Sequence, residues 1–472
     1  MFLRVIAIIG GISLVSCGQN LKKSRLSSAF TQADQVYVRV PKSLLTQEWV
    51  STNQFNRDHA KDNQYAIGWL PVGIFDSLPQ SELKQITTLD EFEVATGQLN
   101  PFTLESQKSF ELPSDIRAGY TNYVALTDEM KRLANTFPDI SRLESVGKSI
   151  QGRELWMMKV STSFDQNIYK PKLIYIANMH GDEVIGRELS LNHLRRLLET
   201  FGSDQRITDL VNNSDLFIIP TMNPDGFELK QRYNAKNKDL NRSFPDFTSD
   251  PTDSTAGRPI ETAAIMDLHS KHHFTSAINF HGGEVCFNLP WDTKANQRQE
   301  ERFGDDQVLN KMGRGYSDSN PTMVANNSFD RGLTYGYEWY EVNGGMQDWS
   351  IYYRKSMHAT VELSYTKWPT AAQIPVAWEE NKESMLKFME QSIQGIAVEA
   401  VSEDGSKIEN FTFGIQSSSR SLSFSGAFGF RPTLSGNHKI TVSSPGFESA
   451  VVDNVPAKSF DGTFNHIVLK KQ

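Results

Sequence analysis

Runs of consecutive apolar residues, set at intervals through the middle of the chain and separated by stretches of helical periodicity, constrain the fold more than any other feature. Leu173-Ile174-Tyr175-Ile176-Ala177 and Leu216-Phe217-Ile218-Ile219 are apolar at every position, as expected of strands buried on both faces. Between them Leu191, Leu194, Leu197, Leu198 and Phe201 recur at helical spacing from about Gly186 to Phe201. A helix over about Ile260 to Lys271, a strand over Thr275 to Phe280 and a later strand at Thr360-Val361-Glu362-Leu363 continue the alternation. Buried strands alternating with helices predict an α/β fold, a mixed and mostly parallel sheet flanked by helices, over residues 113–393.

The flanks differ in texture. After a helix ending near Ile393, short alternating strands at Ile396 to Val401, Phe411 to Ile415, Leu422 to Phe424, Ile440 to Val442 and Ile467 to Leu469 are separated by Gly, Ser and Pro. That pattern predicts a small all-β sandwich over residues 394–472. Residues 35–112 predict a small α+β unit, with strands at Val36 to Val40, Tyr65 to Val72 and near Phe92 and a helix from Ser77 to Thr87. With 472 residues, more than one domain is expected. The balance of 48 basic against 56 acidic residues, a net charge of -8, gives no footing for nucleic acid.

At the N-terminus Arg4 precedes an apolar run from Val5 to Leu14, too short to remain as a bilayer-spanning helix, which ends in Leu14-Val15-Ser16-Cys17. Residues 1–17 resemble the signal peptide and lipobox of bacterial lipoproteins, which implies export and a membrane anchor on a lipidated Cys17, with residues 18–34 as a flexible tether. An ordinary signal peptide, with secretion, is the plainer alternative. The only other cysteine is Cys286, so a lipidated Cys17 leaves no intrachain disulfide.

The strand at Leu173 runs into His180-Gly181-Asp182-Glu183. Imidazole nitrogen and carboxylate oxygen are zinc ligands, but His281-Gly282-Gly283-Glu284 has the same spacing, so spacing alone does not choose the pair. Context does: His180 and Glu183 lie between a buried strand and a helix, and His281 ends another such strand. Together they build an open site at the carboxyl edge of the sheet, where α/β proteins bind ligands, and catalytic zinc keeps its fourth position for water.

Further motifs follow in order: Met222-Asn223-Pro224-Asp225-Gly226-Phe227-Glu228, Asp239-Leu240-Asn241-Arg242-Ser243-Phe244-Pro245-Asp246, Gly344-Gly345-Met346-Gln347-Asp348-Trp349 and Thr360-Val361-Glu362-Leu363-Ser364. With the two His motifs, they resemble the zinc carboxypeptidases of the funnelin type, in particular the branch containing carboxypeptidases E, N and D, over about Tyr120 to Gln472. The resemblance implies one zinc per chain, held by His180, Glu183 and His281, and an exopeptidase acting on peptide or protein C-termini. It also implies Glu362 as general base and acid, Arg232 as oxyanion stabiliser, and Asn241 with Arg242 as the grip on the terminal carboxylate. Tyr340 matches the tyrosine that closes over the bound C-terminus, and Asp239 the carboxylate that orients His180. Asp292, after Asn288-Leu289-Pro290-Trp291, and Gln347 match the pocket that selects a terminal Lys or Arg. The sandwich resembles the transthyretin-like domain of that branch.

Ser243 stands where the family usually has Asn, and Asn237 where Gly is common. His193, His269, His272, His273 and His358 are read as surface or core residues, Glu284 as a pocket-rim residue and Cys286 as a small buried apolar one. Two other functions fit the same fold, a peptidoglycan-trimming carboxypeptidase and an inactive binding protein. The intact Asn241-Arg242 with Asp292 opposes the first, and the complete ligand set with Glu362 opposes the second.

Overall fold

The apolar run Leu173–Ala177 lies in the middle of a mixed sheet, in a computed structural model that describes residues 31–32, 35–44, 56–57, 65–88, 120–164, 168–293 and 303–472. The chain forms two compact units, Met1–Ser109 and Phe110–Gln472. In the second unit the sheet strands are β1 (Ser141–Lys148), β2 (Glu154–Val160), β3 (Lys172–Ala177), β4 (Asp215–Ile219), β5 (Ser276–His281), β6 (Glu284–Leu289), β7 (Leu333–Tyr335) and β8 (Met357–Ser364). Their order is β7-β6-β8-β5-β3-β4-β2-β1. The central strands β8, β5, β3 and β4 are parallel, whereas β6 runs antiparallel to β8, and β2 antiparallel to β4. The expected mixed, mostly parallel centre is therefore present, with an antiparallel hairpin, β1–β2, at one edge.

Alternate residues of β3 enter different cores, as the period of a strand requires. Leu173, Tyr175 and Ala177 pack on one face with α1 (Tyr123–Thr136), α2 (Ile185–Glu199), α3 (Gln205–Asn213), α5 (Asp306–Asp318) and α7 (Gln373–Ser392). Ile174 and Ile176 pack on the other with α4 (Ile260–His272) and α6 (Met346–Arg354). Because β3, β5 and β8 are parallel neighbours, His180, His281 and Glu362 all lie at one edge of the sheet.

After α7, strands β9 (Gln394–Ser402), β10 (Phe411–Ile415), β11 (Ser421–Phe424), β12 (Phe428–Pro432), β13 (Gly436–Ser443), β14 (Ala450–Ser459) and β15 (Asn465–Leu469) form the all-β part. Four of them pair in the order β11-β10-β13-β14, and β12-β9-β15 form the opposite face, the two faces meeting where β9 pairs with β14 at Gln394 and Gly395. Ile396, Val398, Phe411, Phe413, Ile440, Val442, Ile467 and Leu469 close the core between them. Strands β12 and β14 have no counterpart in the sequence reading.

The first unit contains an antiparallel sheet led by Gln35–Pro41 and Tyr65–Pro71, with Val38, Val40, Leu70 and Phe75 in its core. The helix expected from Ser77 to Thr87 is only Gln80–Leu83, Thr87 belongs to a strand, and a separate short helix, Val72–Ser77, precedes it. Pro79 separates them, because the residue before a proline is driven out of helical geometry. The strand expected near Phe92 lies outside the described residues. Among the described residues no helix is long and apolar enough to cross a membrane.

Candidate active site

The loop after β3 is shaped by amides. Asn178 adopts a left-handed conformation, φ 56°, and its Nδ2 donates to the carbonyls of His180, Gly181 and Glu183 at 2.9, 3.2 and 3.3 Å. Asn223 ties the same loop down, its Nδ2 donating to the carbonyls of Met179 and Arg232. A side chain at Gly181 would place its Cβ 2.1 Å from the Gly226 backbone carbon, so only glycine lets the loop pass there.

This turn and the end of β5 bring three ligand atoms together. His180 Nδ1 is 2.9 Å from Glu183 Oε2, His281 Nδ1 is 2.8 Å from the same oxygen, and the two imidazole nitrogens are 3.1 Å apart. All three residues are buried, and their ligand atoms lie within 4.8 Å of one another. Burial opposes ionisation of Glu183, yet His180, Lys367 and His281 hold its carboxyl well below the ordinary carboxylate range. Two nitrogens and one carboxylate oxygen aimed at one point are a donor set that fits zinc, with coordination left over for water. Asp239 Oδ1 contacts His180 Nε2 at 3.1 Å, which fixes the ring with Nδ1 turned to the metal position.

Arg232 lies against the same carboxylates. Its Nε donates to Asp239 Oδ2 at 3.0 Å and its Nη1 to Glu183 Oε1 at 3.1 Å. Its buried Nη2 has no hydrogen-bond partner among the described residues, so its two N–H donors remain for another oxygen. Glu362 is the register partner of His281 on the neighbouring strand. Asn241 is fixed by Met346, whose N–H donates to its Oδ1 at 2.9 Å, and Arg242 folds back to the Asn241 carbonyl at 2.9 Å. The hydroxyl of Tyr340 is pushed far up by burial, with Glu362 and Asp292 adding and Arg242 and Arg232 opposing. Tyr340 thus lies among the residues with which the sequence associates it.

Asp292 is buried among polar groups. Asn288 Nδ2 donates to its Oδ1 at 2.8 Å and Gln347 Nε2 at 3.2 Å, while Asp348 accepts from the backbone N–H of both Asp292 and Thr293. Burial raises the Asp292 carboxyl to about 6, with Asn288 and Arg242 pulling the other way. A carboxylate so enclosed favours a cation as its partner.

The structure gathers every sequence-derived site residue except Cys17, which lies outside the described residues. The set-aside histidines stay out of the ligand cluster: His193 touches Met389 Sδ, and burial brings its pKa to about 3. His269 and His358 are buried beside each other in the core. Cys286 is fully buried, as read. Glu284 is also buried, accepting from Asn326 Nδ2 at 3.2 Å, rather than lying on a rim. Two further residues shape the site without a sequence motif: Lys367, whose ammonium lies 3.4 Å from Glu183 and 3.9 Å from Asp182, and Asn178. Neither belongs to a spacing pattern; the adjacency of Asn178 to the His motif was the only signal.

Comparison with known proteins agrees. Residues 126–384 match the family model described as zinc carboxypeptidase. Human carboxypeptidase D is 36% identical over 70% of this chain and 25% of its own length, so the chain spans about a quarter of that relative. Mouse carboxypeptidase M is 32% identical over 70% of this chain and 79% of its own. Among solved structures, carboxypeptidase A from Helicoverpa armigera superposes with a TM-score of 0.57 at 18% identity, covering 76% of this chain and 98% of that one. On the family match and these identities, the chain belongs to the zinc carboxypeptidase family.

Proposed function

We propose that this protein is a zinc-dependent exopeptidase that removes single C-terminal residues, Lys or Arg, from peptides or proteins. The observation that carries the reading is the convergence of His180, Glu183 and His281 beside Asn241, Arg242 and Arg232 at one sheet edge. Bound there, zinc supplies Lewis acidity and lowers the pKa of water to about 7.

The chain's own residues divide the remaining work. Asn241 and Arg242 bind the terminal carboxylate, a planar guanidinium matching it with parallel hydrogen bonds. Arg232 Nη2 donates to the carbonyl oxygen as negative charge develops on it. Glu362 accepts a proton from the attacking water and passes it to the leaving amine. Tyr340 covers the bound end and excludes water. Asp292, supported by Gln347, pairs with the terminal ammonium or guanidinium. Asp239 holds His180 in its ligating orientation.

Residues 113–393 form the catalytic domain in this reading and 394–472 a transthyretin-like scaffold, while residues 35–112 form a separate unit. Residues 1–17 direct export, and lipidation of Cys17 anchors the protein to a membrane of the bacterial cell envelope. Stable anchoring takes more than one acyl chain, so Cys17→Ser is expected to release the protein from the membrane fraction. Finding the wild type wholly soluble with a different mature N-terminus would contradict the anchor.

The activity is tested with a peptide panel that varies only the last residue, each peptide also supplied as its C-terminal amide. Release of single Lys or Arg from free acids alone supports the reading. A preference for Leu or Phe ends would overturn the assignment of Asp292.

A further inference from the structure

His180 and His281 face the metal position alike, through Nδ1, and an imidazole ligating through one nitrogen in its neutral form carries its proton on the other. Each ring therefore needs an acceptor opposite Nε2. For His180 that acceptor is Asp239, at 3.1 Å. For His281 the group opposite Nε2 is the side-chain amide of Asn279, at 2.7 Å.

Asn279 lies two residues before His281 on β5, so both side chains project from the same face of the sheet. It is fully buried, and Thr360 on β8, its register partner, is nearly so. Thr360 Oγ1 lies 3.1 Å from Asn279 Oδ1, and the Thr360 N–H donates to Gln347 Oε1 at 2.6 Å. The amide is thus held between a hydroxyl and an imidazole.

The two ends of an amide have nearly the same shape and opposite hydrogen-bonding character. With Nδ2 toward His281, Nε2 must accept, and the ring proton is on Nδ1. Ligation through Nδ1 demands the reverse: Nε2–H donates, and Asn279 must present Oδ1. A half-turn of the amide supplies this without other movement, because the Thr360 hydroxyl accepts from Nδ2 as readily as it donates to Oδ1.

We propose that Asn279 is a positioning residue for the metal site, its amide oxygen fixing the tautomer and ring plane of His281 as Asp239 does for His180. It does not touch substrate. The proposal rests on the zinc reading above and concerns zinc affinity, not turnover.

The test is zinc affinity, measured on the full chain by competition with a chromogenic chelator, for wild type, Asn279→Leu, Asn279→Asp and Thr360→Val. Loss of an outer hydrogen-bond partner weakens metal binding by about 10–100-fold, and that is expected for Asn279→Leu. Asn279→Asp, which can only accept, is expected to bind zinc at least as tightly as wild type. Thr360→Val, which only loosens the amide, is expected to show a smaller loss, about severalfold on the same argument. A folded Asn279→Leu within about twofold of wild type, well below that range, would overturn the proposal. So would an Asn279→Asp variant weaker than wild type, which decides the matter even if Asn279→Leu does not fold. A wild type that binds no zinc would instead refute the metal-site reading itself.

Discussion

The carboxyl edge of the mixed sheet and the C-terminal sandwich lie in one compact unit and are both built from strands, yet they bury different chemistry. At the sheet edge His180, Glu183, Arg232, His281 and Glu362 are all nearly inaccessible. Arg232 there is paired with both Glu183 and Asp239. The interior of the sandwich is apolar, closed by Phe411, Phe413, Ile440 and Val442. Its fully buried Arg431 bonds to Asp305, in the segment before α5, and to Ser418 Oγ and the Arg420 carbonyl within the sandwich. Buried ionic groups contribute little net stability, whereas apolar burial is the main favourable contribution to folding. The first region buries ionisable groups and the second an apolar core.

That contrast can be broken by substitutions whose effects cross over. The largest expected effect is on turnover: Glu362→Gln removes the proposed proton acceptor while leaving the candidate ligand set, and kcat is expected to fall about 10²–10⁴-fold. Zinc content and Tm should stay close to wild type. A fall of less than about tenfold, below that range, would show that Glu362 is not the base.

Next is Asp292→Ala. Leaving a bound cation without its buried partner costs about 3–5 kcal/mol, so kcat/KM on Arg- and Lys-ending peptides is expected to fall more than about a hundredfold. Leu-ending peptides should change little. An unchanged ranking of substrates would remove Asp292 from the specificity pocket.

Phe413→Ala sharpens the comparison from the other side. Truncating a fully buried Phe costs about 3–5 kcal/mol, read as a lower denaturation midpoint, while kcat/KM of the folded fraction is expected to stay near wild type. A selective loss of activity at unchanged stability would mean that the sandwich takes part in catalysis.

The smallest effect is in pH. Burial pushes the Asp292 carboxyl up to about 6, above the ordinary value of 3.8, so its charge is expected to disappear as pH falls through 6. The ratio of kcat/KM for Arg- over Leu-ending peptides is expected to drop about tenfold between pH 7 and pH 5, following the ionised fraction. Its linkage to folding runs the other way: a raised carboxyl binds more protons folded than unfolded, so this group favours the folded state as pH falls. Loss of preference at low pH is therefore expected without unfolding from this source. A ratio flat across that range would contradict the titration.

The same contrast explains what was legible in the sequence. Leu173–Ala177 and Leu216–Ile219 are readable because strands buried on both faces are apolar at every position. The hairpin Ser141–Val160 is not, because its edge strand SRLESVGK is mostly polar and half-exposed. In the sandwich, β14 escapes notice for the same reason: AVVDNVPAKS exposes most of its side chains. At the site, the candidate ligands and pocket residues were legible as candidates because each belongs to a compact motif. Asn178, Asn279 and Lys367 were not, because none belongs to such a motif and Asn178 serves only the carbonyls of its own loop. His281 meets Asn279 through the strand period, Asn279 meets Thr360 through register, and Lys367 meets Glu183 through a loop.

The measurement that bears most directly on the account compares initial rates on one peptide ending in Arg, its C-terminal amide and its Leu-ending counterpart, before and after metal removal. The account predicts release of free Arg from the acid only, slow reaction of the Leu peptide, loss of activity with the metal and recovery on adding zinc. Equal cleavage of acid and amide, or undiminished activity after exhaustive metal removal, would contradict it.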